Sequence, residues 1–193
     1  IRKWFNSKFD DLTPPQSMAV PLIHNKKNVL VSSPTGSGKT LTAFLSIIND
    51  FLKIHRESEF EDGVHAIYIS PLKALANDID RNLKQPLDEM MKIAEELDID
   101  VPEIKVAVRS GDTSLKERAR MVRKPPHILI TTPESLGLAL ASKKFRPLMH
   151  NLQWLIIDEM HSLVPTKRGT HLALTMALLD TLIANPVQRL GIS

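Results

Sequence analysis

The sequence contains no cysteine, which excludes disulfide bonds and thiolate metal sites and fits a reducing compartment. It has no apolar run that approaches the roughly 20 residues needed to cross a bilayer, and its first residues show no secretory signal pattern. The G-x-S-x-G motif of serine hydrolases is missing as well. These absences predict a cytoplasmic protein without a membrane partner, with association with the nucleoid as an alternative location.

Length and composition indicate one globular domain. The chain has 193 residues, of which 42% are hydrophobic and 24% charged, enough to build a substantial core. Repeats, low-complexity tracts and internal linkers are absent from the sequence, so we predict a single domain over residues 1–193. The net charge of +3 is compatible with a polyanionic partner but is weak evidence alone.

Residues 32–40, Ser-Ser-Pro-Thr-Gly-Ser-Gly-Lys-Thr, form the most informative stretch of the chain. They follow an apolar run over 28–31, which predicts a buried strand, and they precede a pattern that predicts a helix from Lys39 to about Ile54. A strand, a glycine-rich turn, Lys-Thr and a helix are the context that a phosphate-binding P-loop requires. The alternative is an ordinary glycine-rich turn with a solvated lysine.

Each residue type in this loop suits the binding of phosphate. Gly36 and Gly38 permit backbone angles that let successive N–H groups form an anion nest. Lys39 would meet the β- and γ-phosphates, and the Thr40 hydroxyl would bind Mg²⁺. The simple pattern asks for glycine where this chain has Ser33.

Apolar runs and helical patterns alternate along the chain. Strands are predicted at 28–31, 64–69, 104–108, 127–130, 154–157 and from 188 onwards. Helices are predicted at 4–8, 15–24, 39–54, 72–97 with an interruption near Pro86, 114–123, 133–141 and 170–184. Alternation of this kind predicts an α/β fold with three layers, a parallel sheet covered by helices on both faces. Ligands of such sheets bind at the carboxyl ends of the strands.

Three helical faces carry more specific predictions. We expect Met18, Ala19, Leu22 and Ile23 on the apolar side of the second helix, and Leu172, Met176, Leu179 and Ile183 in the core. The basic residues of helix 114–123, Arg118 among them, favour a solvated surface face.

Asp158 and Glu159 follow the apolar run 154–157 directly, as in a Walker B pattern. Asp158 would bind the same Mg²⁺ as Thr40, and Glu159 would orient and deprotonate the water that attacks the γ-phosphate. Asp-Glu after a strand is often only a solvated loop, but its pairing with a P-loop favours the catalytic interpretation. His161 alone could be a turn histidine, and a zinc site has no ligand spacing to support it.

At residues 158–161, Asp-Glu-Met-His, the chain resembles the DExH-box helicases of superfamily two. Residues 34–40 resemble their motif I, 70–75 their motif Ia, 131–136 their motif Ib, and 109–113 the glycine turn between them. The amino-acid sequences of segments such as 12–16 and 168–174 are most similar to those of the large helicase-related (Lhr) group. The resemblance implies a P-loop NTPase domain of the RecA-like type that uses ATP and Mg²⁺.

The resemblance also implies roles for individual residues. The implied catalytic residues are Lys39, Asp158, Glu159 and His161. The implied ATP-binding residues are Gln16, Phe9, Pro34, Thr35, Gly36, Ser37, Gly38, Lys39 and Thr40, with Thr40 and Asp158 on the metal. The implied nucleic-acid contacts are Pro71, Lys73, Arg109, Gly111, Thr132, Pro133, Glu134 and Ser135.

In such helicases, Gln16 would recognise adenine and an upstream aromatic residue would pack on the base. Phe9 is the first candidate for this aromatic, with Trp4 and Phe5 as alternatives. Gln16 could instead be a polar residue of the first helical turn, and Phe9 a core anchor.

Residues 188–193 resemble the strand that leads into motif III. The resemblance therefore implies the first RecA-like domain of an ATP-dependent helicase, truncated there, without the second domain that carries an arginine finger. On this interpretation the chain alone is weakly active or inactive, and its track is single-stranded or partly duplex nucleic acid, with DNA favoured over RNA. The alternatives are the motor of a double-strand translocase or remodeller, and a nucleotide-switched nucleic-acid-binding module.

Overall fold

The computed structural model describes residues 1–34, 36–57, 61–71, 80–183 and 185–193. The chain folds into two compact units. The first unit comprises Ile1–Phe60 and Ala74–Glu103, and the second comprises Glu61–Lys73 and Ile104–Ser193. Among the described residues, no helix is both long enough and apolar enough to cross a membrane.

The first unit contains four α-helices and one short strand within its described residues. These are α1 (Arg2–Lys8), α2 (Pro14–His24), β1 (Val29–Val31), α3 (Lys39–Glu57) and α4 (Gln85–Glu96). A π-helical turn, Asp80–Lys84, leads into α4, whose first turn contains Pro86. Because proline lacks the N–H that a first turn leaves unpaired anyway, the helix restarts there, as the interruption near Pro86 predicts.

Two predictions for this unit are wrong. Met18 and Leu22 are 73% and 46% exposed, whereas Ala19 and Ile23 are buried. At 100° per residue, Ala19 and Ile23 share one stripe of α2, and Met18 and Leu22 lie on the neighbouring, outer stripe. The second wrong prediction is that the strand at 28–31 is buried, since Leu30 in β1 is 62% exposed.

The second unit is built on five parallel strands in the order β6-β5-β2-β4-β3. The strands are β2 (Ala66–Ile69), β3 (Val106–Arg109), β4 (Ile128–Thr131), β5 (Trp154–Ile157) and β6 (Gln188–Ile192). The helices between them are α5 (Leu115–Arg123), α6 (Pro133–Ala141), α7 (Met160–Leu163) and α8 (Lys167–Leu182), with a 3-10 turn at Arg146–Met149. The short α7 and the 3-10 turn have no counterpart in the predicted helices.

The register of these strands gathers their carboxyl ends at one edge. Ile69 of β2 lies beside Thr131 of β4 and Ile157 of β5, and Arg109 of β3 lies beside Thr131. Strands β2, β4 and β5 are buried along their whole length. The predicted core stripe of α8 is confirmed, since Leu172, Leu179 and Ile183 are buried and Met176 packs against them.

Two buried histidines precede β2 and β4. His65 and His127 are each 3% exposed, and their ring centroids are 5.9 Å apart. His127 Nδ1 accepts the Lys105 N–H at 3.2 Å, and its Nε2 lies 3.6 Å from the Asp62 carboxylate. Burial, assisted by the charge of Lys105, lowers the pKa of His127 to about 4. This histidine is therefore neutral at physiological pH.

Candidate functional site

The P-loop of the first unit has the backbone that its glycines predict. Gly36 and Gly38 have φ angles of +80° and +81°. This left-handed region costs other residues roughly 1–2 kcal/mol. Glycine is therefore required at both positions, while Thr35, which precedes Gly36, lies outside the described residues.

Ser33 explains why this loop departs from the simple pattern. Its φ is not in the positive region, so its backbone does not require glycine. Its hydroxyl lies 2.6 Å from the Ser37 hydroxyl, and the Ser37 N–H donates to the Pro34 carbonyl at 3.4 Å. A serine at this position thus adds a bond across the loop.

Lys39 and Thr40 form the first two residues of α3. The Lys39 ammonium donates to the carbonyls of Ser33 and Pro34, the latter at 3.1 Å. The loop and the helix start therefore bring a cation, a hydroxyl and unpaired backbone N–H groups together, which is a site for an anion.

Gln16 lies against the same loop. Its side chain is buried, and a Cβ placed on Gly38 would come within 2.6 Å of Gln16 Nε2. Gln16 Oε1 accepts the Thr13 N–H at 2.9 Å, and the Thr13 hydroxyl donates to the Ser37 carbonyl at 2.9 Å. The start of α2 and the P-loop are thereby joined, with the Gln16 amide beside Gly38.

Phe9 contacts the two other aromatic residues near the start of the chain, Trp4 and Phe5. Phe9 is 41% exposed, and its ring centroid lies 5.0 Å from that of Phe5 and 6.0 Å from that of Trp4. Trp4 is buried, and its Nε1 donates to Glu89 at 2.6 Å. Phe9 therefore offers more accessible ring surface than Trp4.

In the second unit, Asp158 follows the last residue of β5 and is held on both carboxylate oxygens. Oδ1 accepts the Glu159 N–H at 2.9 Å, and Oδ2 accepts the hydroxyl of Tyr68 on the neighbouring strand β2. Two donors fix the orientation of the carboxylate.

Glu159 has a strained backbone, with φ of +50° and ψ of +43°. Its carboxylate lies 3.1 Å from His161 Nε2, and His161 Nδ1 lies 3.0 Å from the Ser193 hydroxyl. A non-glycine residue in this region costs about 1–3 kcal/mol and is typical of functional sites. The predicted catalytic residues Asp158, Glu159 and His161 thus lie together after β5.

The carboxyl edge of β3 and β4 carries several of the predicted nucleic-acid contacts. Arg109 is buried, and its guanidinium lies 4.5 Å from the centroid of the Phe145 ring. Burial lowers the pKa of Arg109, but an arginine remains charged at neutral pH. The Thr131 hydroxyl donates to the Arg109 carbonyl at 2.8 Å, which joins the ends of the two strands.

Thr132 and Ser135 are also buried in this edge. Thr132 caps α6: its Oγ1 accepts the Ser135 N–H at 3.3 Å, and its hydroxyl lies 3.2 Å from that of Ser135. Pro133 is the buried first residue of the helix. Gly111 is exposed. Thr132 is therefore the N-cap of α6 and Ser135 its partner, and the nucleic-acid contact of both residues stays a prediction.

Glu134, in the first turn of α6, forms a bidentate ion pair with Arg168 in the first turn of α8. Arg168 Nε and Nη2 donate to the two oxygens of Glu134 at 2.6 and 3.2 Å. These bonds lower the pKa of Glu134 to about 2 and raise that of Arg168. Pro71 is buried after β2, while Lys73 lies outside the described residues.

Sequence reasoning missed three contacts of this edge. Tyr68 bonds Asp158, and Ser193 bonds His161. Arg118, predicted to lie on a solvated face, donates from Nη2 to the carbonyls of Ser110 and Gly111 at 3.3 and 3.2 Å. Only the Tyr68 contact had a signal in the sequence. Tyr68 is the only tyrosine of the chain and lies in a predicted buried strand, where its hydroxyl needs a hydrogen-bond partner.

Comparison with protein families matches residues 13–193 to the DEAD/DEAH box helicases. The ATP-dependent helicase Lhr-Core protein 2 of Thermococcus barophilus is 52% identical, over 100% of this chain and 22% of the relative. The ATP-dependent helicase Lhr-Core of Methanocaldococcus jannaschii is 51% identical, over 100% of this chain and 23% of the relative. The chain thus spans about a fifth of the length of these curated relatives.

Solved structures show the same fold. The Mycobacterium smegmatis helicase Lhr bound to ssDNA and AMP-PNP matches with a TM-score of 0.91 and 45% identity, over 100% of this chain and 24% of that one. The likeness confirms the predicted α/β fold with a parallel sheet and helices of the RecA-like type.

Proposed function

Because the chain belongs to the DEAD/DEAH box helicase family, we propose that it is the first, ATP-binding motor domain of a longer ATP-dependent helicase. The observation that carries this proposal is the P-loop itself. Gly36 and Gly38 have left-handed backbones, and Lys39 and Thr40 follow them at the start of α3. This is the arrangement that binds the phosphates of a nucleotide.

ATP is held by the first unit in this proposal. Backbone N–H groups of residues 36–38 and the Lys39 ammonium bind its phosphates. The Gln16 amide beside Gly38 recognises adenine, and Phe9, with its exposed ring, packs on the base. One lone pair of Gln16 Oε1 bonds the Thr13 N–H, so the NH₂ group is the available donor to the base.

The residues that we assign to Mg²⁺ are Thr40 and Asp158. Hydroxyl and carboxylate oxygens are the hard ligands that this ion prefers, so the donor set fits. The bonds from Tyr68 and the Glu159 N–H orient the Asp158 carboxylate. When bound, Mg²⁺ neutralises charge on the phosphates.

Hydrolysis requires a positioned water and a base. The Glu159 carboxylate accepts a proton from the attacking water. The water oxygen forms a bond to the γ-phosphorus while the bond from that phosphorus to ADP breaks. His161, held by Ser193, fixes the Glu159 carboxylate. The Lys39 ammonium stabilises charge on the transferred phosphoryl group.

The track is single-stranded or partly duplex nucleic acid, bound through its backbone at the carboxyl edge of the second unit. The residues that we assign to this track are Pro71, Lys73, Arg109, Gly111, Thr132, Pro133, Glu134 and Ser135. Contacts to phosphate and sugar carry no sequence information, which suits a motor that moves along any sequence. DNA is favoured over RNA because the Mycobacterium smegmatis relative is bound to ssDNA.

A second RecA-like domain in the longer protein completes the motor in this proposal. It supplies an arginine finger, which is worth about 10³–10⁵ in turnover. The 193-residue chain alone therefore binds ATP weakly and hydrolyses it slowly. The cytoplasmic location stays a prediction.

Strand displacement by the full-length protein tests this function. We expect ATP-dependent release of a labelled strand from a DNA duplex with a single-stranded tail, and the same assay on RNA shows which track is preferred. Displacement of a third strand from a triplex, without release from the duplex, would show a double-strand translocase instead. ATP-dependent binding without either displacement would favour a nucleotide-switched module.

A further inference from the structure

We propose that Arg168 is a further phosphate-binding residue of the nucleic-acid track, and that Glu134 orients its guanidinium. The inference rests on the proposed function, because it requires nucleic acid to bind the carboxyl edge of the second unit. It also gives Glu134, a carboxylate within a predicted polyanion-binding segment, a definite role.

The position of the ion pair is the first support. Glu134 follows Thr132 and Pro133 in the first turn of α6, directly after β4 ends at the carboxyl edge. Arg168 is bound to it through two hydrogen bonds of 2.6 and 3.2 Å. Arg168 therefore lies at the same edge as the predicted motif Ib contacts.

The donor count of the guanidinium is the second support. An arginine has five N–H groups, and Arg168 uses Nε and one N–H of Nη2 on Glu134. Among the described residues, no further hydrogen bond of Arg168 is found, and its side chain is 42% exposed. The remaining N–H groups can donate to a phosphate while the carboxylate holds the guanidinium plane in place.

The third support is that the first turn of α8 is firmly placed. Thr166 caps the helix by accepting the Gly169 N–H at 3.3 Å, and its hydroxyl donates to the Leu163 carbonyl at 2.8 Å. A Cβ on Gly169 would collide with the Leu163 carbonyl, so backbone packs directly on backbone here. Arg168 immediately precedes this glycine. Both residues of the ion pair, Arg168 and Glu134, therefore lie in the first turns of capped helices.

Charge explains why the pairing is needed. A lone Glu134 carboxylate would repel a phosphate, and its lowered pKa shows that it is ionised at neutral pH. Pairing with Arg168 neutralises that charge and presents N–H donors instead. Glu134 therefore acts as a positioning residue, and Arg168 makes the contact.

The salt dependence of ssDNA binding tests this inference. In the full-length protein, Arg168→Gln should weaken binding of a labelled oligothymidylate roughly tenfold. It should also reduce the slope of log K against log salt by about 0.7, the value for one phosphate contact on a single strand. Arg168→Lys, which keeps the charge, should retain most of the slope.

The matched control is Arg189→Gln. Arg189 pairs with Asp180 in the same unit at 2.5 Å, with a similar exposure of 40%, and its loss should leave the slope unchanged. An unchanged slope in Arg168→Gln, whether affinity falls or not, would overturn the phosphate contact. A wild-type protein that does not bind oligothymidylate would refute the proposed function, and this inference with it.

Glu134→Gln tests the orienting role separately. Removal of a negative charge alone should strengthen ssDNA binding, whereas loss of the orienting partner should weaken it. We expect binding to weaken about threefold, since Arg168 must then be ordered at the cost of side-chain entropy. Stronger binding would contradict the role of Glu134.

Discussion

The P-loop of the first unit and the carboxyl edge of the second unit differ in how far apart along the chain their hydrogen-bonded residues lie. Within the P-loop itself, hydrogen bonds join residues three to six positions apart, such as Ser37 to Pro34 and Lys39 to Ser33. At the carboxyl edge, Tyr68 bonds Asp158 across 90 positions, and Arg168 bonds Glu134 across 34. A local motif therefore encodes the first site, whereas only the folded sheet assembles the second.

The largest effect is expected on catalysis, from a substitution at the carboxyl edge. In Glu159→Gln of the full-length protein, ATP hydrolysis should fall by about 10²–10⁴, because the amide cannot accept the proton of the attacking water. Binding of ATP should survive, since the P-loop is intact. Turnover is checked by phosphate release and binding by fluorescence of a labelled nucleotide; lost binding would argue against the role assigned to Glu159.

Tyr68→Phe removes one long-range bond at the carboxyl edge and keeps the packing of the ring. The Asp158 carboxylate loses a donor, and a hydrogen bond to a charged group is worth about 1.5–3 kcal/mol. We expect turnover to fall about tenfold and the Mg²⁺ concentration for half-maximal activity to rise. A titration of Mg²⁺ that matches the wild type would show that the hydroxyl does not position Asp158.

The two glycines of the P-loop allow a matched comparison. Alanine at either position is strained by the positive φ, but a Cβ on Gly36 meets nothing within 4 Å, whereas one on Gly38 would displace Gln16. The Gly38→Ala protein should therefore bind ATP about tenfold more weakly than Gly36→Ala, because the Gln16 amide is displaced as well. Equal affinities, measured by nucleotide titration, would contradict the placement of Gln16 beside the loop.

The smallest effect concerns the pH dependence of stability. His127 has a pKa of about 4 in the fold, below the ordinary value near 6.5. Between these values the unfolded chain binds more protons, so the free energy of unfolding should fall as the pH drops through this window. We expect a loss of about 1 kcal/mol after allowance for solvent screening.

Urea unfolding of the 193-residue chain at a series of pH values measures this loss. In His127→Asn the fall between about pH 6.5 and pH 4 should be smaller, although His65, whose pKa is also lowered by burial, keeps part of it. The same fall in the variant as in the wild type would show that His127 does not titrate as described.

Local patterns predicted much of this molecule. The strand at 154–157, the start of a helix at Lys39, and the family resemblance based on residues 158–161 are all confirmed. These features depend on neighbouring residues, whose spacing is visible in one sequence. The need for glycine at Gly36 and Gly38 is confirmed by their φ angles for the same reason.

What the sequence could not predict depends on tertiary packing. The exposure of Met18 and Leu22 follows from which stripe of α2 meets the core, and hydrophobicity alone did not distinguish the two stripes. The partners of Asp158, His161 and Glu134 come from other strands and helices. No spacing rule connects such residues before the sheet order is known.

The most direct test of the account is ATP turnover by the full-length protein with and without single-stranded DNA or RNA, with Lys39→Ala as the control. We predict turnover that nucleic acid stimulates, more by DNA than by RNA, and that disappears in the Lys39→Ala protein. Turnover that neither nucleic acid changes, or that persists without Lys39, would contradict a motor driven by ATP at this P-loop.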